Sequence, residues 1–199
     1  MTQTLLIRRA VSGEAELLSE VLAQAFANDP VCTWAWPDDS LRPDVSRAFF
    51  KVFAGFVLEA GEAYIRDERG VALWLPFDPA DDHDDPDLGE ALAEACGPFA
   101  DRLAIVDELM KASHPTHAPH AYLPFIGVTP AGQGQGIGGS LLEARTRELD
   151  QQGLPAYLEA TTEAAARLYE RHGFRRTSKT IDLPGGPSMY PMWREPGAA

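Results

Sequence analysis

Val128-Thr129-Pro130-Ala131-Gly132-Gln133-Gly134-Gln135-Gly136-Ile137-Gly138-Gly139-Ser140 is the stretch on which the reading of this chain turns. It is entered from Tyr122–Val128, an apolar, strand-like run in which Pro124 cannot donate a ladder hydrogen bond and Gly127 packs no side chain. Both residues suggest a bulged or splayed strand. The stretch leaves into Leu141–Leu149, where Ile137, Leu141 and Ala144 share one helical face. A strand therefore enters a glycine-rich turn, and the turn opens a helix. The first N–H groups of a helix have no partners inside it. The macrodipole adds roughly half a positive charge there. Glycines let a diphosphate approach the backbone with no Cβ in the way. The stretch predicts a site for a phosphate-bearing ligand.

Gly134, Gly136 and Gly139 formally satisfy the dinucleotide pattern G-x-G-x-x-G. That pattern falls past residue 130, where the chain leaves room for half a dinucleotide fold, and Glu159 is the nearest candidate for the acidic residue that should follow. A Walker loop is excluded, because no Gly-Lys-Ser/Thr follows the turn. A second block then narrows the choice. Pro155–Glu159 reads as a strand, and Ala164-Ala165-Ala166-Arg167-Leu168-Tyr169-Glu170-Arg171-His172-Gly173-Phe174 follows it.

The first block resembles the acetyl-CoA signature Gln/Arg-x-x-Gly-x-Gly/Ala of the Gcn5-related N-acetyltransferases (GNAT). The second resembles that family's Leu-Tyr-Glu-x-x-Gly-Phe segment, at the family's spacing. The resemblance covers Tyr122 to about Trp193. Within the family the chain is most similar to the puromycin N-acetyltransferase group, through Phe26–Pro30, Leu73–Pro76, the His/Pro-rich approach to Tyr122 and Pro184–Pro187 before a Met-Trp-Arg ending. The resemblance implies an α/β fold with a mixed, mostly antiparallel central sheet, splayed middle strands and helices on both faces. It implies one N-acetyltransferase domain over 1–199 with a coenzyme-binding core at about 121–195. Pantetheine would lie between Tyr122–Val128 and Pro155–Glu159, held by the backbone around Ile126, Gly127 and Val128. Gln133, Gly134, Gln135, Gly136, Ile137, Gly138, Gly139 and Ser140 would hold the pyrophosphate. Thr162 stands where many members have Asn near the coenzyme.

For chemistry, the resemblance assigns Tyr169 as the general acid beside the coenzyme sulfur. The strand before Val128 lacks the glutamate that some members use as base, which shifts that role to Glu159 or a water chain. Glu159 has a structural alternative, capping the next helix or pairing with Arg167. His172 reads as a helix-end residue. Trp34, Trp74 and Tyr122 are candidates for an acceptor-pocket wall, with ordinary core packing as the alternative.

Outward from this core, Thr4–Arg9 reads as a first strand and Ser12 as the N-cap of a helix carrying Leu18, Val21, Leu22, Ala25 and Phe26. Asn28-Asp29-Pro30 stops that helix, and a loop with Trp34 and Trp36 follows. A helix over Arg42–Ala60 leads to a hairpin, Ala63–Arg66 and Val71–Leu75, around Asp67–Gly70. Asp78–Asp87 is a solvated acidic loop without the spaced ligands of a calcium loop. Helices at about 88–95 and 99–112 precede His114, His117 and His120, whose intervening prolines predict an extended connector that does not converge on a metal. Cys32 and Cys96 lack zinc or disulfide spacing and read as buried thiols. No metal is expected.

At 199 residues and 45% hydrophobic, the chain can bury a sizeable core. Its formal net charge of −13 argues against nucleic acid as a partner. No run is long and apolar enough for a membrane span, and the N-terminus does not read as a signal peptide, so a cytoplasmic protein is expected. The expected activity is acetyl-CoA-dependent N-acetylation of a small primary amine by direct transfer in a ternary complex. Aminoacyl nucleosides, aminoglycosides, polyamines and amino acids are all open as acceptors. The competing readings are a non-catalytic acyl-CoA-binding or sensor module and a protein N-terminal or lysine acetyltransferase. Oligomeric state and acyl chain length are left open.

Overall fold

The computed structural model describes residues 7–81, 83, 85–177 and 179–197. Thr4–Leu6 of the expected first strand lie outside the described residues, as do Asp82 and Asp84 of the acidic loop. In chain order the elements are β1 (Ile7–Arg9), α1 (Ala15–Ala25), α2 (Pro30–Ala35), α3 (Arg42–Ala60), β2 (Glu62–Arg66), β3 (Gly70–Phe77), α4 (Pro86–Cys96), α5 (Ala100–Ser113), β4 (His120–Val128), α6 (Ile137–Gln152), β5 (Ala156–Ala160), α7 (Glu163–Arg171), β6 (Arg175–Arg176), β7 (Ile181–Asp182) and β8 (Ser188–Arg194). The strands order as β1-β2-β3-β4-β5-β8-β6, with β7 paired to β8 beside this path. Among the described residues only β4 and β5 pair in parallel. The fold is mixed α/β with a mostly antiparallel sheet, as the sequence implied.

Both faces of the sheet are covered, and the strand sequences say why. β2 and β3 are almost continuously apolar, the pattern of strands buried on both sides. Ala63, Ile65, Val71 and Leu73 pack with α1, α2 and α3. The alternate residues Tyr64, Ala72 and Trp74 pack with α6 and α7. At Gly127 the first layer comes closest: a Cβ there would stand 2.7 Å from that of Ala25 on α1.

β4 carries the irregularity that Pro124 foretold. Its register against β3 shifts between Leu73 and Leu75, leaving one extra residue on β4. A bulge of this kind re-aims the side chains beyond it. Leu123 packs on the α6 side, whereas Phe125, two residues on, points to the opposite face. There it meets Phe50 and Phe53 edge-to-face, with centroids 5.1 and 5.0 Å away.

Three local expectations need correction. α1 begins after Glu14, not Ser12, because the Glu14 carboxylate accepts from the Val11 N–H at 2.8 Å and pairs with Arg8 at 2.7 Å, closing the turn itself. Trp34 and Trp36 do not occupy a plain loop. Asp29 caps α2 by accepting from Val31 N and Cys32 N at 2.9 and 3.1 Å, and Pro30 sits at its first position, so a short helix forms. The histidine connector does converge: His114 Nε2 and His120 Nε2 lie 3.0 Å apart. Burial holds His114 down to about 4 and lowers His120. Both rings are thus neutral at pH 7. His120 Nδ1–H donates to Ala118 O at 2.9 Å, and its Nε2 then accepts from His114. Among the described residues no three His, Cys, Asp or Glu side chains are grouped as metal ligands.

Candidate active site

β4 and β5 pair through Ala121–Ala156 and Tyr122–Tyr157 and share no register beyond them. Past that point β4 runs into Pro124, which has no N–H to offer, and into the bulge. The strands therefore diverge into a V.

Beyond the open arm of β4 the chain enters the glycine turn. Gly134 and Gly136 both take positive φ, +75° and +74°, and nothing lies within 4 Å of where a Cβ would stand on either. No side chain caps α6. Successive N–H groups at such glycines form a concave donor surface, and the uncapped dipole adds to it. Arg66 brings a guanidinium to the same end, donating to Ser140 Oγ, which itself donates to Ile137 O at 2.7 Å.

At the mouth of the V lies a cavity of about 100 Å³. Leu123–Ile126 form one wall, and Glu159, Thr161 and Tyr169 another. α2 and α5 complete it with Cys32, Ala35, Leu103, Val106 and Met110. The roof is clasped from outside by Trp34. Its indole N–H donates to Pro184 O at 3.2 Å, Arg102 lies 4.9 Å over its ring, and Arg102 also donates to its carbonyl.

The cavity's polar groups are few. Glu159 Oε2 accepts from Tyr122 OH at 3.0 Å, while Oε1 is buried with no partner. Burial pushes the Glu159 carboxyl up to about 7, against the opposing effect of the Tyr157 and Tyr122 hydroxyls. Burial raises Tyr169 too, with the nearby Asp29 charge adding to it, so the phenol stays protonated. Its hydroxyl has no hydrogen-bond partner among the described residues, and the residue as a whole is 8% exposed. Asp29 is fully engaged: it caps α2 and accepts from Thr161. Burial nevertheless raises its pKa. The Cys32 thiol is held protonated by burial and by Asp29.

A model of the acetyltransferase (GNAT) domain matches residues 98–176 of this chain. Among solved structures, that of histone acetyltransferase HPA2 and related acetyltransferase from Corynebacterium glutamicum ATCC 13032 aligns with a TM-score of 0.71 and 26% identity over 99% of both chains. Residues 98–176 carry an acetyltransferase domain of the GNAT type. An uncharacterized N-acetyltransferase of Schizosaccharomyces pombe is 27% identical over 187 residues, 84% of this chain and 73% of that protein. Mycothiol acetyltransferase of Paenarthrobacter aurescens (strain TC1) is 42% identical over 69 residues, 32% of this chain, so the match spans 21% of that relative's length.

The sequence-predicted residues fall into three groups. Gln133–Ser140 surround the uncapped α6 terminus, and Ile126 and Val128 lie on the diverging arm of β4. Gly139 is a partial exception: a Cβ there would stand 3.2 Å from His172 Nε2, so its bareness serves helix packing. Glu159 and Tyr169 meet at the cavity. Thr162 is the N-cap of α7, accepting from Ala165 N at 3.1 Å. That corrects the capping alternative for Glu159, since Thr162 does the capping.

The expected pocket aromatics do not line the cavity. Trp74 is buried in the α6-side core. Trp34 is the external clasp. Tyr122 stands behind Glu159 as its hydrogen-bond donor. The wall residues the sequence reading passed over include Asp29, Phe26, Trp36, Phe49 and Phe125 among the aromatic and acidic groups, and Leu103, Val106, Met110 and Met189 among the aliphatic ones. Asp29-Pro30 carried a usable signal, an Asp–Pro pair opening a helix. The others are apolar residues scattered along the chain and are indistinguishable from core by pattern.

Proposed function

We propose that this GNAT chain moves an acetyl group from acetyl-CoA to the primary amine of a small molecule, directly, in a ternary complex. One observation carries the reading: a buried carboxylate oxygen without a partner, Glu159 Oε1, shares a cavity at the strand splay with the free hydroxyl of Tyr169. The open, uncapped glycine turn is compatible with a pyrophosphate, and Ile126 and Val128, on the diverging arm of β4, would hold the pantetheine arm. Acetyl-CoA supplies the activated acyl thioester. The chain's own residues do the rest. Glu159, with a pKa of about 7, accepts a proton from the incoming ammonium, since an acid–base group works best near the operating pH. Tyr122 holds that carboxylate in place through its hydroxyl. As the neutral amine attacks the acyl carbon and the C–S bond breaks, Tyr169, which is protonated, would give its proton to the departing sulfur and regain one from the nitrogen of the new amide. Cys32 also lines the cavity, but its thiol stays protonated, which favours direct transfer over a cysteine-linked relay.

The test is calorimetric titration with acetyl-CoA followed by thiol release in the presence of amines, on wild type and Tyr169→Phe. The expected result is unchanged coenzyme affinity and turnover reduced about 10²-fold in the variant. Coenzyme binding with no thiol release for any amine would instead support a non-catalytic coenzyme-binding module.

A further inference from the structure

Resting on that reading, we propose that the acceptor is a monoamine carrying a compact apolar group, alkyl or aryl, and not a polyamine or an amino sugar. Two carboxylates reach the cavity, and their hydrogen bonds separate them. Asp29 is saturated: Oδ1 accepts from two backbone N–H groups of α2 and Oδ2 from Thr161. Glu159 has Oε2 taken by Tyr122, while its buried Oε1 makes no hydrogen bond, although the Tyr157 hydroxyl stands close to the carboxylate. The cavity therefore offers one free anionic acceptor, which suits one ammonium.

Away from Glu159 the wall is Trp36, Phe49, Leu103, Val106, Met110 and Met189. None of these can neutralise a second cation or accept a sugar hydroxyl's proton. A buried charge without a partner is strongly disfavoured. An apolar group in the same place gains about fourfold in affinity for each methylene it buries. Size sets the upper limit. An apolar cavity of roughly 150 Å³ holds benzene in another protein, so the cavity of about 100 Å³ found here suits a group no larger than a phenyl ring or a short alkyl chain. The net charge of −13 concerns encounter in solution and does not change what the inner wall accepts.

The matched pair pentylamine and 1,4-diaminobutane tests this, because the two differ by a terminal methyl against a terminal ammonium. Acetyl-CoA-dependent thiol release by the full chain is followed for both, together with phenethylamine, agmatine, spermidine and glucosamine. The expected result is kcat/KM about 10²-fold higher for pentylamine than for the diamine, with phenethylamine also accepted. Met110→Glu places a carboxylate at the apolar end and should narrow that ratio about 10-fold or more. If this variant fails to fold by circular dichroism, the wild-type ratio still decides. Thiol release that favours the diamine, agmatine, spermidine or glucosamine would overturn the inference and leave the acetyltransferase reading standing. Coenzyme binding without thiol release for any amine would overturn both.

Discussion

At the glycine turn, Gly134 and Gly136 hold positive φ in open space and α6 begins with no side-chain cap. At the cavity, no lining residue takes positive φ, Asp29 and Thr161 satisfy each other, and one carboxylate oxygen is left over. On the proposed function, the turn would recognise its ligand with main-chain donors from one contiguous stretch. The cavity does so with side chains gathered from α1 to β8. The difference teaches what each half can vary. A main-chain cradle tolerates changes in side chains but not in φ. A side-chain cavity keeps its shape while exchanging one wall residue for another, so acceptor choice can drift while coenzyme choice does not.

The sharpest way to break this division is Glu159→Gln. Turnover at pH 7.5 is expected to fall about 10²- to 10⁴-fold, with the coenzyme dissociation constant unchanged by calorimetry. Weakened coenzyme binding would show that the two halves are not separable. pH adds a second signature. In the wild type, kcat/KM rises through the Glu159 ionisation near 7, because the base must lose its proton. Stability moves the other way. The unfolded carboxyl ionises near 4.5, whereas the folded one holds its proton until about 7. Between those values the folded state binds the extra proton, so this contribution is complete below the window and lost as pH rises through it. Thermal unfolding at pH 5 and pH 8 should therefore show a larger drop for wild type than for Glu159→Gln.

Gly136→Ala probes the other half. A non-glycine residue in the left-handed region costs roughly 1–2 kcal/mol and places a methyl in the anion cradle. The expected outcome is a coenzyme dissociation constant raised about 10-fold, with the acceptor KM at saturating coenzyme unaltered. The same contrast explains what was legible in the sequence. The turn could be read because its physics is local: strand, glycines and helix follow one another within the span Tyr122–Leu149. The α3 limits Arg42–Ala60 and the bulge at Pro124 were legible for the same reason, being periodicity and a missing N–H. The cavity was not. Trp34 on α2 and Trp36 at its C-cap lie two residues apart, and only packing decides that Trp36 lines the cavity while Trp34 clasps Arg102 and Pro184 outside it. His114 and His120 meet across a connector whose turn no local pattern encodes.

Thr162 marks the border between the halves. By resemblance it belongs to the coenzyme; by geometry its hydroxyl accepts from Ala165 N at 3.1 Å with extended backbone angles of φ −142° and ψ 154°, as an N-cap does. Tyr169 sits near the far end of the helix that this bond starts, so a frayed α7 would loosen Tyr169 without touching the glycine turn. For Thr162→Ala the expected loss is about 1 kcal/mol of stability, seen as a melting temperature lower by roughly 2–4 °C, with coenzyme affinity unchanged. A small drop in turnover should accompany it, and Thr162→Ser, which keeps the cap, should restore both. A weaker coenzyme affinity in Thr162→Ala at unchanged melting temperature would move this hydroxyl to the coenzyme side and redraw the border at the start of α7.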